Sequence, residues 1–102
     1  SCETQPMYVY IQFAVRNEQA FTQYAQVVGA TVQRYNGETV AVNRSPQPLH
    51  GNAVADVCVI QKWPSLEAVQ GWLNSPEYAP LKKLRDEAAM GDLLIMPVPD
   101  PA

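Results

Sequence analysis

Histidine occurs once, as His50, and cysteine twice, as Cys2 and Cys58. One imidazole and two distant thiols do not make a typical zinc set, and two cysteines do not make a disulfide framework. Lysine and arginine together number seven, with one local cluster at Lys82, Lys83 and Arg85, and the net charge is −3. A nucleic-acid surface needs a basic stripe, so nucleic acid is not an expected partner. No apolar run approaches a membrane span, and no charged-then-apolar signal segment opens the chain. A glycine-rich phosphate loop, a nucleotide fingerprint and a serine or cysteine nucleophile motif are also missing. The expectations are therefore no metal, no cofactor and no membrane. A cytoplasmic, reducing location is the default, with a mature secreted protein as the alternative.

Charge is scarce as well: 17% of residues are charged against 47% hydrophobic. In a chain of 102 residues, long enough for one domain, that balance leaves apolar surface for a partner subunit to cover.

The residues that are present mark out one α+β domain over 7–98, with a flexible leader over 1–6 and a tail over 99–102. Met7 to Val15 is rich in aromatic and β-branched residues and reads as a strand. Its alternation sets Val9, Ile11 and Phe13 on one face and Tyr8, Tyr10 and Gln12 on the other. Asn17 caps a helix whose apolar stripe is Phe21, Tyr24, Val28, Val32 and Tyr35. Asn36-Gly37 closes it, with glycine expected in the left-handed conformation. Gly29 inside this helix marks a candidate close approach to the sheet. Glu38 to Asn43 and Ala53 to Trp63 read as strands flanking a proline-containing loop, Arg44 to Asn52. In the first of them Val40 and Val42 share a face.

Ser65 caps a short helix, and Ser75-Pro76-Glu77 opens a second one, bent in its first turn by Pro80 and ended by Gly91. Asp92 to Val98 closes the chain as an edge strand, because it holds Pro97. The order strand, helix, strand, strand, helix pair, strand is the split βαβ arrangement: a four-stranded antiparallel sheet with its helices on one face. Its other face is expected to pack against a second copy in a homodimer.

Trp63-Pro64-Ser65, then Asn74-Ser75-Pro76-Glu77-Tyr78, then Arg85 resembles the pattern of the family catalogued as domain of unknown function 1330. Asn36-Gly37 and Gly91-Asp92-Leu93-Leu94 look like the same family, and the likeness runs from about Tyr8 to Val98. The resemblance implies a ferredoxin-like subunit of a dimeric α+β barrel. That superfamily includes cofactor-free monooxygenases, lactone isomerases, haem enzymes and cyclases, so fold alone selects no reaction. The chain departs from the family pattern in the loop after the second strand, where Asn43-Arg44-Ser45-Pro46 and His50-Gly51 stand in place of glycine-rich pairs.

Several side chains carry candidate chemistry. His50 is a proton carrier or an exposed loop residue. Asp56 is a base with a raised pKa, or the structural partner of Arg85 or Lys62. Tyr10 is a donor to a substrate carbonyl, or with Tyr8 and Gln12 a member of a self-satisfied dimer core. Tyr24, Trp63, Trp72 and Tyr78 shape a pocket or fill the core. Arg85, on an apolar stripe, wants a carboxylate: Asp56, Glu77 or an anionic ligand.

The first reading is a small cofactor-independent enzyme of isomerase, cyclase or dehydratase type. It would act on a hydrophobic, carbonyl-bearing or polyketide-like molecule, with His50, Asp56 and Tyr10 catalytic and Tyr8, Gln12, Tyr24, Trp63, Trp72, Tyr78 and Arg85 binding substrate. The alternatives are a non-catalytic dimeric ligand-binding or accessory protein, and a cofactor-free monooxygenase whose substrate itself activates oxygen.

Overall fold

The computed structural model describes residues 5–52 and 55–101, so Cys2 lies outside it. The elements are β1 (Met7–Val15), α1 (Glu18–Arg34), β2 (Glu38–Asn43), β3 (Val57–Trp63), α2 (Leu66–Leu73), α3 (Ala79–Leu84), a π-helical turn (Arg85–Ala89) and β4 (Met90–Pro99). The strands form one antiparallel sheet in the order β2-β3-β1-β4. This is the ferredoxin-like βαββαβ topology.

Alternation along β1 decides the two faces. Met7, Val9, Ile11 and Phe13 are buried in the same core as Phe21, Tyr24 and Val32 of α1. Tyr8, Tyr10 and Gln12 are half-buried on the opposite, open face. Asn17 caps α1 as expected, its side chain accepting from the Ala20 N–H at 3.0 Å. Ser65 caps α2 in the same way through Ala68 at 3.1 Å.

The centre of the core is a run of aromatic rings. Trp63 and Trp72 lie 5.2 Å apart between centroids, and Trp72 and Tyr78 4.5 Å apart. Each indole N–H is satisfied: Trp63 donates to Gln61 Oε1 and Trp72 to Thr31 Oγ1, both at 2.9 Å. Burying that much aromatic surface tolerates no orphaned donor.

Several local expectations are corrected. Asn36, not Gly37, takes the left-handed conformation (φ 69°) after α1. The Asn36 N–H bonds the Gln33 carbonyl at 3.0 Å and the Gly37 N–H bonds Val32 at 2.9 Å, a Schellman ending. Gly37 is needed for another reason: a Cβ there would sit 2.6 Å from the Trp63 indole. Gly29 makes no close approach to the sheet, since a Cβ at that position meets nothing within 4 Å.

In β2 a bulge between Thr39 and Ala41 breaks the simple alternation expected for Val40 and Val42. Asp56 precedes β3 rather than interrupting it, and Ala53 and Val54, expected in that strand, lie outside the described residues. α3 begins at Ala79, after a turn in which Ser75 Oγ accepts from the Tyr78 N–H at 3.1 Å. The helix ends in the π turn at Ala89, and Gly91 belongs to β4, packed where a Cβ would meet Arg16 Nε at 2.7 Å. The tail is held at its start. Pro99 is the last residue of β4, Asp100 N–H bonds the Pro6 carbonyl at 3.0 Å, and its carboxylate pairs with Lys62 at 3.3 Å.

Candidate functional site

Between α1 and the covered face of the sheet lies a cavity of about 240 Å³. Its walls are mostly apolar, from Phe21 and Val28 on α1, Ile11 and Phe13 on β1, and Val57 and Val59 on β3. Thr39, Val42, Arg44 and Gly29, all exposed, also line it. The mouth therefore opens between α1 and the edge strand β2. Deep inside are Trp72 and Tyr78, each 1% exposed, with Gln61 and Arg85 beside them.

The polar centre is a hydroxyl pair. Tyr24 and Tyr78 bring their phenol oxygens to 2.7 Å, and Arg85 Nη1 donates to the Tyr78 oxygen at 3.4 Å. One phenol donates to the other, so the second phenol hydrogen has no partner within the pair. Helix geometry creates this arrangement. Tyr24 sits on the buried stripe of α1, Tyr78 follows the Ser75 turn, and the wide π turn starts at Arg85 and buries both Arg85 and Ala89.

Electrostatics follow from burial. Desolvation, reinforced by Tyr78, pushes the Tyr24 phenol far above the ordinary tyrosine range, so it is a neutral donor. Arg85 loses hydration on burial, but its bonds to Asp86 and Tyr78 outweigh that and raise its pKa. Asp86 is held below the usual carboxylate range by the Arg85 guanidinium, which it grips at 2.7 and 3.2 Å.

A pH prediction arises here. The folded pKa of Tyr24 lies above its unfolded value of about 10. Its neutral form therefore supports the fold fully below that pH, and the support is lost as pH rises beyond it. Stability measured by urea unfolding should fall above about pH 10, less steeply in Tyr24→Phe. A Tyr24 phenolate forming reversibly near pH 10 in the folded protein, seen as the tyrosinate absorbance missing from the variant, would contradict this.

The expected site residues divide among several places. Tyr24, Trp72, Tyr78 and Arg85 line the cavity. Trp63 packs behind Trp72 as core and does not line this cavity. Tyr8, Tyr10 and Gln12 sit on the other face of the sheet and do not line this cavity. There Tyr10 donates to Gln12 Oε1 at 2.9 Å with Cys58 Sγ 3.5 Å away, beside a hollow of about 290 Å³ under the Pro46–Pro48 loop. The Cys58 contact and burial raise the Tyr10 pKa.

His50 is exposed and lines neither space. Asp56 is exposed, and its carboxylate accepts from the Val15 N–H at 2.9 Å. It pairs with neither Arg85 nor Lys62, whose partners are Asp86 and Asp100. Glu77 is taken by Tyr35 at 2.7 Å and Arg34 at 3.1 Å, and Tyr35 with Arg34 keeps its pKa low. A half-exposed neighbour such as Asp86 keeps part of its hydration while pairing, whereas drawing Asp56 inside would cost much more.

Arg44 was not among the expected site residues, yet its guanidinium stacks over the Phe21 ring at 5.2 Å on the cavity rim. The signal was period-two alternation, since Val42 and Arg44 share a side of the chain. The same rule marks Gln61, in phase with Val57 and Val59.

The comparisons agree with this architecture. The family model described as domain of unknown function (DUF1330) matches residues 6–99. A Rhodopseudomonas palustris protein of unknown function superposes with TM-score 0.82 at 20% identity, covering 97% of this chain and 85% of its own. A Caulobacter crescentus protein described as a candidate antibiotic biosynthesis monooxygenase has TM-score 0.70 at 11% identity, covering 98% and 93%. A Bacteroides fragilis protein of unknown function, described as dimeric with a ferredoxin-like fold, has TM-score 0.59 at 10% identity, covering 93% and 96%. No curated protein matches the chain significantly in sequence. No helix among the described residues is long and apolar enough to cross a membrane.

Proposed function

We propose, for a chain that belongs to the domain of unknown function (DUF1330) family, that it binds and transforms a small hydrophobic molecule through a carbonyl or enolisable oxygen. The observation that carries this reading is the Tyr24–Tyr78 hydroxyl pair with Arg85 behind it, set in an apolar cavity. Preorganised donors in a water-poor site stabilise an oxyanion far better than water does. The free phenol hydrogen points the pair toward an oxygen gaining negative charge, and Arg85 supports the pair through its bond to Tyr78. Isomerisation, cyclisation and dehydration of an enolisable carbonyl compound can each run through such an anion. Oxygenation of a stabilised anion is the variant suggested by the name of the Caulobacter relative.

Binding without turnover is the second reading. It is favoured by one observation: neither His50 nor Asp56 lines the cavity, so among the described residues its walls offer no imidazole or carboxylate to remove a proton.

The working unit in this proposal is a homodimer joined through the open sheet face. Ile60, Leu94, Met96 and Val98 are exposed there, and two relatives of this fold are described as dimeric. The subunit is only 17 Å thick in its shortest dimension. The free, half-buried Cys58 thiol on that face suits a reducing compartment.

The test uses 2-naphthol, an apolar ring system with one ionisable oxygen. It should quench tryptophan fluorescence saturably through Trp72, and the bound probe should ionise at lower pH than the free one. Tyr24→Phe and Tyr78→Phe keep the ring packing and should remove most of that acidity shift, with affinity for the naphtholate falling roughly ten-fold or more. No saturable binding to the wild type, or unchanged ionisation in both variants, would refute the proposal.

A further inference from the structure

We infer that the ligand of this cavity is an organic anion: an apolar body with a carboxylate or similar acidic group that meets Arg44 at the mouth. The inference rests on the cavity reading above and adds the ligand's charge to it.

The chain as a whole is acidic, with ten Asp and Glu against seven Lys and Arg. The cavity runs against that average. Among the described residues, its charged lining is Arg44 and Arg85, with no Asp, Glu or Lys. Their situations differ. Arg85 is buried, with three donor contacts already committed to Asp86 and Tyr78. Its charge is largely balanced by that carboxylate, and its place is beside the phenol pair.

Arg44 is exposed, its guanidinium carbon lies over the Phe21 ring at 5.2 Å, and no carboxylate among the described residues pairs with it. An arginine on an aromatic face keeps its in-plane N–H donors directed outward, and the planar fork suits a carboxylate. The aromatic contact limits the side chain's freedom, so less ordering remains to be done when an anion binds.

The two arginines divide the cavity into ends. The inner end offers a phenol hydrogen to a carbonyl or enolate oxygen. The outer end offers an uncompensated cation where solvent gives way to apolar wall. A ligand spanning both has its reacting oxygen inside, a hydrophobic middle against Phe21, Val28 and Val57, and its permanent charge at the rim. A neutral ligand would leave Arg44 without a role, and a cationic one would meet two like charges.

Two isosteric probes test this on the full chain: 2-naphthoate and 2-naphthylmethanol, titrated by tryptophan fluorescence with calorimetric confirmation. The naphthoate should bind at least about ten-fold more tightly at low ionic strength, the advantage shrinking as salt is added. Arg44→Gln, at an exposed site where folding is checked by circular dichroism, should remove most of that advantage while changing naphthylmethanol affinity by less than roughly two-fold. Arg44→Lys should restore only part of it, because a point charge lacks the planar fork. Equal affinity for the two probes, or a preference that survives Arg44→Gln, overturns the inference. If 2-naphthol binds and the naphthoate has no advantage, only the ligand's charge has been misread. If no probe saturates, the cavity reading falls with it.

Discussion

Replacing Trp63 with alanine is expected to cost about 3–5 kcal/mol of stability, the range for deleting a large buried aromatic side chain. Trp63 is 1% exposed and lies on both Trp72 and Gly37, so its removal leaves a void bordered by an indole and a backbone that cannot easily collapse into it. The loss also strips Gln61 Oε1 of its donor, and an unsatisfied buried acceptor adds about 1–3 kcal/mol. A domain of this size has about 5–15 kcal/mol in total, so the variant should be marginal at room temperature. Its melting temperature should fall by roughly 12 °C or more.

Urea unfolding followed by far-ultraviolet circular dichroism measures this, with protein concentration held constant because association adds to apparent stability. Trp63→Phe should recover part of the loss. A Trp63→Ala protein within about 1 kcal/mol of wild type would show that the aromatic run is not the centre of the core.

The second large effect concerns association. Ile60, Tyr10 and Met96 form one row straight across β3, β1 and β4, because Tyr10 pairs with both neighbours. Ile60 and Met96 are exposed on the open face, outside the core cluster. Ile60→Asp places a carboxylate in the middle of that face, and in a two-fold dimer each copy contributes one. Desolvating two unpaired like charges should weaken association by at least about a hundred-fold.

Sedimentation at micromolar concentration should show a wild-type dimer and a monomeric Ile60→Asp protein with an unchanged circular dichroism spectrum. A monomeric wild type refutes the homodimer. A variant that remains dimeric moves the interface to another surface.

Much of the fold was legible because short-range rules govern it. Asn17 and Ser65 cap their helices through the N–H three residues on, and this depends only on local residue type. The β1 alternation separated its two faces as they stand in the fold. Where reading failed, a long-range contact had decided the matter. Gly37 looked like the left-handed residue, but Trp63, distant in sequence, is what excludes a side chain there, and Asn36 makes the turn. Gly91 looked like a helix stop and proved to be a strand residue packed on Arg16.

The candidate site divides along the same line. Sequence alone determined the order of elements, the family likeness centred on Trp63 to Arg85, and the presence of aromatic and cationic side chains suited to a small-molecule cleft. These follow from periodicity, capping and turn chemistry, which act over a few residues. Only the tertiary structure decided which of those side chains meet. It joined Tyr24 to Tyr78 at 2.7 Å across 54 positions of chain, set Arg44 over Phe21, gave Arg85 to Asp86, and left His50 and Asp56 outside the cavity. Sheet order and helix packing bring distant segments together, and the hydration cost of each charge then selects its partner. Neither quantity can be read from residues taken in line.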